Sequence, residues 1–380
     1  MSESLLGALW SLLAGFQALG PGQAVMILAG GLLIYLGVAK GYEPLLLLPI
    51  GFGAILTNLP LTGLMEPGGL LRFFYDHGVL TEVFPCLIFV GIGAMTDFGP
   101  LLHRPSILLL GAAGQFGIFL TLLMALALGF TQLEAVAVGI IGACDGPTAI
   151  YVTSKYAPHL LGPVSVAAYS YMSLVPLVQP PIMRALTTRR ERAIVMKTSR
   201  QAVSRPVRVL FPIVVTVVTC LIAPKGAPLM GMIMLGNLLR ESGVVGRLAA
   251  SAENEIPNVV TLLLGISIGA TMQAGQFLRP ATLLVLGLGL LAIILDTVMG
   301  LLFGKLMCLL SRGAINPLIG AAGISAYPMA ARVAQVEGMK HNKRNYLLMH
   351  AMGANTGGQI GSVMAAGIML SLLEGLGLGR

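Results

Sequence analysis

Long apolar runs follow one another along the whole chain, separated by short polar joints or by joints rich in glycine and proline. A helix crossing the hydrocarbon core of a bilayer needs about 20 mainly apolar residues. Runs of that character fall at 24–38, 44–59, 82–98, 105–129, 133–153, 161–185, 209–223, 229–240, 257–273, 281–311, 313–333 and 345–373. Several are too short to cross alone. Such segments predict broken or re-entrant helices, which are tolerated at membrane depth only where protein or a water-filled cavity surrounds them. Residues 5–19 read as an interfacial helix instead, because Met1-Ser2-Glu3-Ser4 supplies no basic leader and no cleavage site follows.

The two halves of the pattern repeat. Ile92-Gly93-Ala94, then Gly99, Leu102, Arg104 and Pro105, returns as Ile268-Gly269-Ala270, then Gly275, Leu278, Arg279 and Pro280. Leu56-Thr57-Asn58-Leu59 returns as Leu235-Gly236-Asn237-Leu238. Gly146, Thr148 and Ala149 are answered by Gly323, Ser325 and Ala326, and Tyr169 and Met172 by Tyr346 and Met349. The expected division is an N-terminal interfacial segment 1–23, a first membrane repeat 24–185, a basic loop 186–208 and a second repeat 209–373. Arg184, Arg189, Arg190, Arg192, Lys197, Arg200, Arg205 and Arg208, opposed only by Glu191, follow the last segment of the first repeat. Lys340, Lys343 and Arg344 precede the last segment of the second. If basic loops stay in the cytoplasm, equivalent helices run in opposite directions, an inverted-topology repeat common in transporters. Simple duplication into two parallel bundles is the alternative.

Composition agrees. Charged residues make up 10% and hydrophobic residues 56% of the chain, and the mean hydropathy is +0.89. A soluble domain carries about 25% charge. The 49 glycines suit close helix approach in lipid. The net charge of +8 does not point to nucleic acid, since the loop around 184–208 carries seven of those charges. Cys86, Cys144, Cys220 and Cys308 lie apart in apolar runs and read as small hydrophobes.

Candidate chemistry sits where the apolar runs break. Gly142-Ala143-Cys144-Asp145-Gly146-Pro147-Thr148 places a carboxylate, a hydroxyl and helix-breaking residues inside 133–153. An ionisable group at that depth is costly without a partner. Asp145, Thr148 and freed carbonyls would make a Na⁺ cage; a helix cap is the plainer role for Asp145. The counterpart run from Asn316-Pro317 through Gly320, Ser325 and Arg332 offers amide and hydroxyl oxygens and no second acid. Its plainer reading is a kinked helix with a snorkelling arginine. Two breaks at matching positions point to a binding site between the halves. Tyr171 reads alone as an interface anchor. Asp296 stays open between site and structure, Asp97 reads as a cap or a support to the site, and Gly353, Gly357 and Gly361 form a packing face. Gly300…Gly304-Lys305 lacks Walker spacing. Glu337-Gly338-Met339-Lys340, faintly like a biotinylation site, has no carrier domain around it.

Ile92 to Pro100, Gly142 to Thr148, Asn316 to Arg332 and Leu347 to Gly353 together resemble the β subunit of the Na⁺-transporting decarboxylases of oxaloacetate, methylmalonyl-CoA and glutaconyl-CoA. The resemblance spans roughly residues 24–370. It implies a multi-pass prokaryotic inner-membrane protein that decarboxylates carboxybiotin, consumes a proton and exports Na⁺. It implies partners: a carboxyltransferase subunit, a biotin carrier protein, a small membrane-anchoring subunit and further copies of the chain. The family's functional positions fall on Asp145, Tyr171, Asn316, Gly320, Ser325 and Arg332. By resemblance, Asp145 and Asn316 serve a Na⁺ site, Tyr171 and Ser325 a second Na⁺ or the proton path, and Arg332 the carboxybiotin; Gly320, Gly146 and Pro147 shape the site. A Na⁺-coupled organic-anion carrier or a Na⁺/H⁺ antiporter of the same architecture is the competing class. A pore or scaffold fits poorly with charged groups at helix breaks.

Overall fold

The computed structural model describes residues 13–196 and 203–377, and helices dominate throughout. The long elements are α1 (Pro21–Lys40), α2 (Pro44–Asn58), α3 (Val83–Met95), α4 (Pro105–Ala127), α5 (Gln132–Gly139), α6 (Gly146–Tyr156), α7 (Leu161–Leu186), α8 (Arg205–Ile222), α9 (Ala227–Ser242), α10 (Glu255–Ala270), α11 (Pro280–Leu310), α12 (Met329–His341) and α13 (Leu348–Gly375). Five helices are long and apolar enough to cross a membrane, or up to seven if each bent pair is one span. The protein is an all-α, multi-pass membrane protein. The interfacial helix expected at 5–19 falls largely outside the described residues, leaving a short turn of helix at Ala14–Gln17. Lys197 and Arg200 of the basic loop also lie outside them.

Local sequence explains the boundaries. α1 opens on Pro21, whose missing N–H costs nothing at a helix start, and closes on Gly41 in the left-handed region. Thr131 and Glu134 close a reciprocal capping box on α5. Two breaks were not legible as such. Leu70–Val79 and Val83–Met95 meet at 61°, where the apolar pattern predicted only the second helix. The run 105–129 is interrupted between Ala113 and Phe116. At Gly114 the carbonyl of Gly323 occupies the space a side chain would need.

The halves interlock by exchanging partners. α2 packs on α10, and α9 packs on α3; likewise α7 packs on α11, and α13 on α4. In the α3–α9 crossing, Gly93 faces the carbonyl of Ile233 and Gly236 that of Val90, so a Cβ at either position would collide with backbone. The paired asparagines of the sequence repeat have one job. Asn58 Nδ2 donates to Met272 O at 2.8 Å, and Asn237 Nδ2 donates to Thr96 O at 3.1 Å. Each ties off the end of a helix in the other half.

The ends of the bundle differ in charge. Arg192 Nε donates to His341 Nε2 at 2.9 Å, Asn342 Nδ2 to Ala193 O at 3.2 Å, and Asn345 Nδ2 to Arg192 O at 2.9 Å. Both basic clusters therefore share one end. α7 finishes at that end and α13 begins there, so these two helices run in opposite directions. At the other end Lys225 pairs with Glu374 at 2.7 Å and His159 with Glu134 at 2.8 Å. The cysteines are free, with Cys144 and Cys308 buried.

Candidate functional site

The two broken segments meet. The first runs as a 3-10 turn over Ile140–Ala143, passes through Cys144 at φ 52°, and restarts as α6 behind Pro147. The second runs as a 3-10 turn over Pro317–Gly323, extends through Ile324, and restarts as α12. Ser325 N donates to Ala143 O at 3.0 Å, so the backbone of one break closes on the backbone of the other.

α13 is the spine of this junction. Asn355 Nδ2 donates to Ala322 O at 3.2 Å and also to Ile324 O, Gln359 Nε2 donates to Ser325 O at 2.9 Å, and Ser362 Oγ donates to Asp145 Oδ2 at 2.9 Å. The spacing 355, 359, 362 places these side chains on one helix face. Ser325 Oγ returns a bond to Gly358 O at 2.9 Å. Asp145 stands at the N-cap position of α6, yet its Oδ2 takes the hydroxyls of Thr148, at 2.7 Å, and Ser362.

A cavity of about 710 Å³ opens beside the junction. Asp145, Gly146, Pro147 and Tyr169 from the first half line it with Ser325, Arg332 and Gln359 from the second, and Glu43 and Glu253 line it as well. Arg332 is exposed into it and Asp145 is 3% exposed. Gln359 Oε1 and Asn355 Oδ1 are buried acceptors without a donor. Hard oxygens around one carboxylate are what an alkali cation requires, and unwound carbonyls commonly serve such sites. No cluster of three or more His, Cys, Asp or Glu side chains suited to a metal occurs among the described residues.

The structure thus brings Asp145, Thr148, Ser325 and Arg332 together, and places other expected residues elsewhere. Asn316 caps its own 3-10 turn by accepting from Leu318 N at 3.0 Å. Its Nδ2 donates to Arg192 O at 3.1 Å and Ile194 O at 2.9 Å. Its amide therefore holds the segment Thr187–Met196, here called the strap, rather than facing Asp145. Tyr171 donates its hydroxyl to Leu286 O and rests its ring beside Gly289 of α11, while its neighbours Tyr169 and Met172 line the cavity. Gly320 lets the second break pass against the carbonyl of Gly300, and Gly146 makes room for the Tyr169 ring. Asp97 caps its own turn, accepting from Gly99 N at 2.8 Å.

Sequence reasoning missed Asn355, Gln359, Ser362 and Gln115. Gln115 Nε2 donates to Gly323 O at 3.1 Å from the break in α4. The signal was available: each is a polar side chain inside an apolar run. The glycines at 353, 357 and 361 do form a packing face, lying against residues of α4 and the turn before it.

Below the cavity the charged end is latched. Arg184 grips Glu337 with two bonds, at 2.7 and 2.9 Å, and Lys340 adds a third at 3.1 Å. The Arg184 bond, with Lys340 helping, holds the Glu337 carboxyl down at about 2. This ties α7 to α12, the helix that carries Arg332.

Helices broken in pairs around a carboxylate, with an arginine in the adjoining cavity, are the architecture of a membrane translocase. The comparison with known families is specific. A family model described as the Na⁺-transporting oxaloacetate decarboxylase beta subunit matches residues 22–373, and the chain belongs to that family. Its members are membrane subunits of multi-subunit decarboxylases that couple decarboxylation to Na⁺ export. The chain is 54% identical to the methylmalonyl-CoA decarboxylase subunit beta of Veillonella parvula, over 95% of this chain and 96% of that one. It is 53% identical, with the same coverage, to the glutaconyl-CoA decarboxylase subunit beta of Acidaminococcus fermentans. It is 48% identical to the oxaloacetate decarboxylase beta chain of Klebsiella pneumoniae, over 94% of this chain and 96% of that one.

Proposed function

We propose that the cavity between the two breaks is where carboxybiotin decarboxylation and Na⁺ movement meet. Supporting this is the Ser325–Ala143 bond, which sets Asp145 of one break and Arg332 of the other on a single cavity. Asp145, Thr148, Ser325, Gln359 and Ser362 hold Na⁺ as cargo. Arg332, a fixed fork of donors, receives the carboxylate of carboxybiotin. The biotin N–CO₂⁻ bond breaks, CO₂ leaves, and a proton is taken up by the ring nitrogen. Moving one charge against 100 mV costs about 2.3 kcal/mol, so one decarboxylation can drive a small number of ions without a nucleotide. Asn316 and Tyr171 act by position, Asn316 through the strap and Tyr171 through α11.

The repeats 24–185 and 209–373 are inverted about an axis in the membrane plane, and the strap and basic loop 186–208 lie in the cytoplasm. Biotin arrives there on a separate carrier protein. A carboxyltransferase subunit selects the acid, which accords with three differently named acids among relatives of similar identity. A small membrane-anchoring subunit and further copies of the chain complete the complex.

The test is purified protein in proteoliposomes given free carboxybiotin. Na⁺-stimulated CO₂ release with Na⁺ accumulation is expected. Na⁺-driven anion uptake without CO₂ release would establish a secondary transporter instead.

A further inference from the structure

Among the described residues three carboxylates are buried. Glu337 has Arg184 and Lys340, and Asp145 has Thr148 and Ser362. Asp296, fully buried midway along α11, has less: Oδ1 accepts from Gly117 N, and Oδ2 has no partner. Its surroundings are built from absent side chains. Oδ1 is 2.2 Å from where a Cβ on Gly117 would be, and Oδ2 is 3.0 Å from where a Cβ on Gly142 would be. Gly142 opens the break that carries Asp145, so Asp296 backs onto that break.

Two opposed forces act on this group. Burial without a cation disfavours the carboxylate form. The amide it touches disfavours the acid form. α4 restarts at Phe116 after its interruption, so the Gly117 N–H is an unclaimed donor in a new first turn, where the helix dipole favours negative charge. Thr121, one turn further along the same face of α4, has a buried hydroxyl without a partner. A group pulled both ways can load and unload a charge. A metal cation would need several oxygens and room for itself, and Asp296 lines none of the described cavities. A proton needs neither.

We propose that Asp296 is a reversible proton site, set behind the first break from the Na⁺ cradle. The proposal rests on the coupled reaction described above. The step is a proton transfer alone. The Oδ2–H bond breaks, the carboxylate keeps its pair of electrons against the Gly117 N–H, and the proton crosses the first break, whose Cys144 lines the cavity, to be taken up by water there. That water supplies the ring nitrogen freed as CO₂ leaves. Of the titratable groups, Cys144 stands on the break beside it and Asp145 beyond, while Tyr171 on α7 meets α11 at Leu286 and Gly289, about two turns away. The facing stretches of α4 and of the turn Pro317–Gly323 present only uncharged side chains.

Asp296→Asn keeps the acceptor for Gly117 N and removes the exchangeable proton. In the purified complex it should keep ²²Na⁺ binding near the wild-type level and lose about 100-fold in carboxybiotin turnover, the scale of a lost acid–base group. One ionisation should vanish from its pH–rate profile. Infrared difference spectra of the wild type across a pH step should show a protonated-carboxyl band that Asp296→Asn lacks. This band also decides the matter in wild-type protein, through ¹³C-aspartate labelling and its insensitivity to Na⁺, should the variant not fold. Unchanged turnover and pH profile in Asp296→Asn, or no such band, overturns the proposal. Loss of ²²Na⁺ binding with the pH profile kept makes Asp296 a Na⁺ ligand and also overturns it. Wild-type protein without Na⁺-stimulated turnover would instead sink the coupled reaction itself.

Discussion

The two breaks occupy matching places in the two halves and are furnished in opposite ways. The first brings a carboxylate and a hydroxyl, Asp145 and Thr148, already bonded to each other. The second brings a hydroxyl and carbonyls, Ser325 and its neighbours, with Arg332 at the restart of the helix. A symmetric site with an acid in each half would hold two like charges face to face. A symmetric site with an arginine in each half would repel any cation. Dividing the groups sets a carboxylate and an arginine on different walls of one cavity.

That division can be broken at either wall. The largest expected effect is at the first. Asp145→Asn should keep the fold and lose Na⁺-dependent turnover by at least about 100-fold, the scale of removing one partner from a buried charged site. The measurement is CO₂ release against Na⁺ concentration on protein shown to be folded, and a normal Na⁺ activation curve would remove Asp145 from the cradle. At the second wall, Arg332→Ala should lower turnover about 100-fold and Arg332→Lys about tenfold, because lysine keeps the charge and loses the fork. Both should bind ²²Na⁺ as the wild type does; a Na⁺ defect in Arg332→Ala would move this residue into the ion path.

Smaller effects sharpen the contrast. Ser362→Ala and Gln359→Leu remove neutral oxygens supplied by the spine helix, and each should weaken Na⁺ affinity about tenfold, near one hydrogen bond's worth, in equilibrium binding. Asn316→Ala should instead act on the strap. Proteolysis near residues 187–196 should accelerate severalfold while Na⁺ affinity stays close to normal, whereas a Na⁺ defect with an intact strap would return Asn316 to the cradle. The smallest effect is at the latch. The Glu337 carboxyl is held below its ordinary value at about 2, so its contribution is present in full above its unfolded value and is lost as pH falls through about 2. Thermal unfolding at pH 7 and pH 5.5 should therefore give the same difference between the wild type and Glu337→Gln.

What was legible in the sequence follows from chemistry that composition cannot hide. A carboxylate beside Gly146-Pro147 in an apolar run announces itself because burial makes it expensive, and an arginine seven residues beyond Ser325 stands out against the same apolar background. The breaks were legible for the same reason, since glycine and proline disfavour regular helix. Ser362, Gln359 and Asn355 stood out only as polar side chains in an apolar run, because neutral polar groups in a glycine-rich helix also suit helix packing, and only the fold turns them toward the breaks. Asn316 stands in a motif that resembles the family's, but a motif does not say where an amide points. The interruption in α4 was hidden because its cause, the carbonyl of Gly323, lies more than 200 residues away in the chain.

The α3–α9 and α2–α10 crossings bear on the order in which this chain can be built. Each clamp takes one helix from either half, and its helix backbones lie too close for anything but glycine between them. A ribosome that has delivered only the first half has delivered neither clamp. Asn58 then has no Met272 to tie, and Gly93 lies open to lipid. These two crossings can therefore close only after helices of the second half have been inserted. Halves cut in the basic loop and made as two polypeptides should be short-lived apart and lasting when coexpressed.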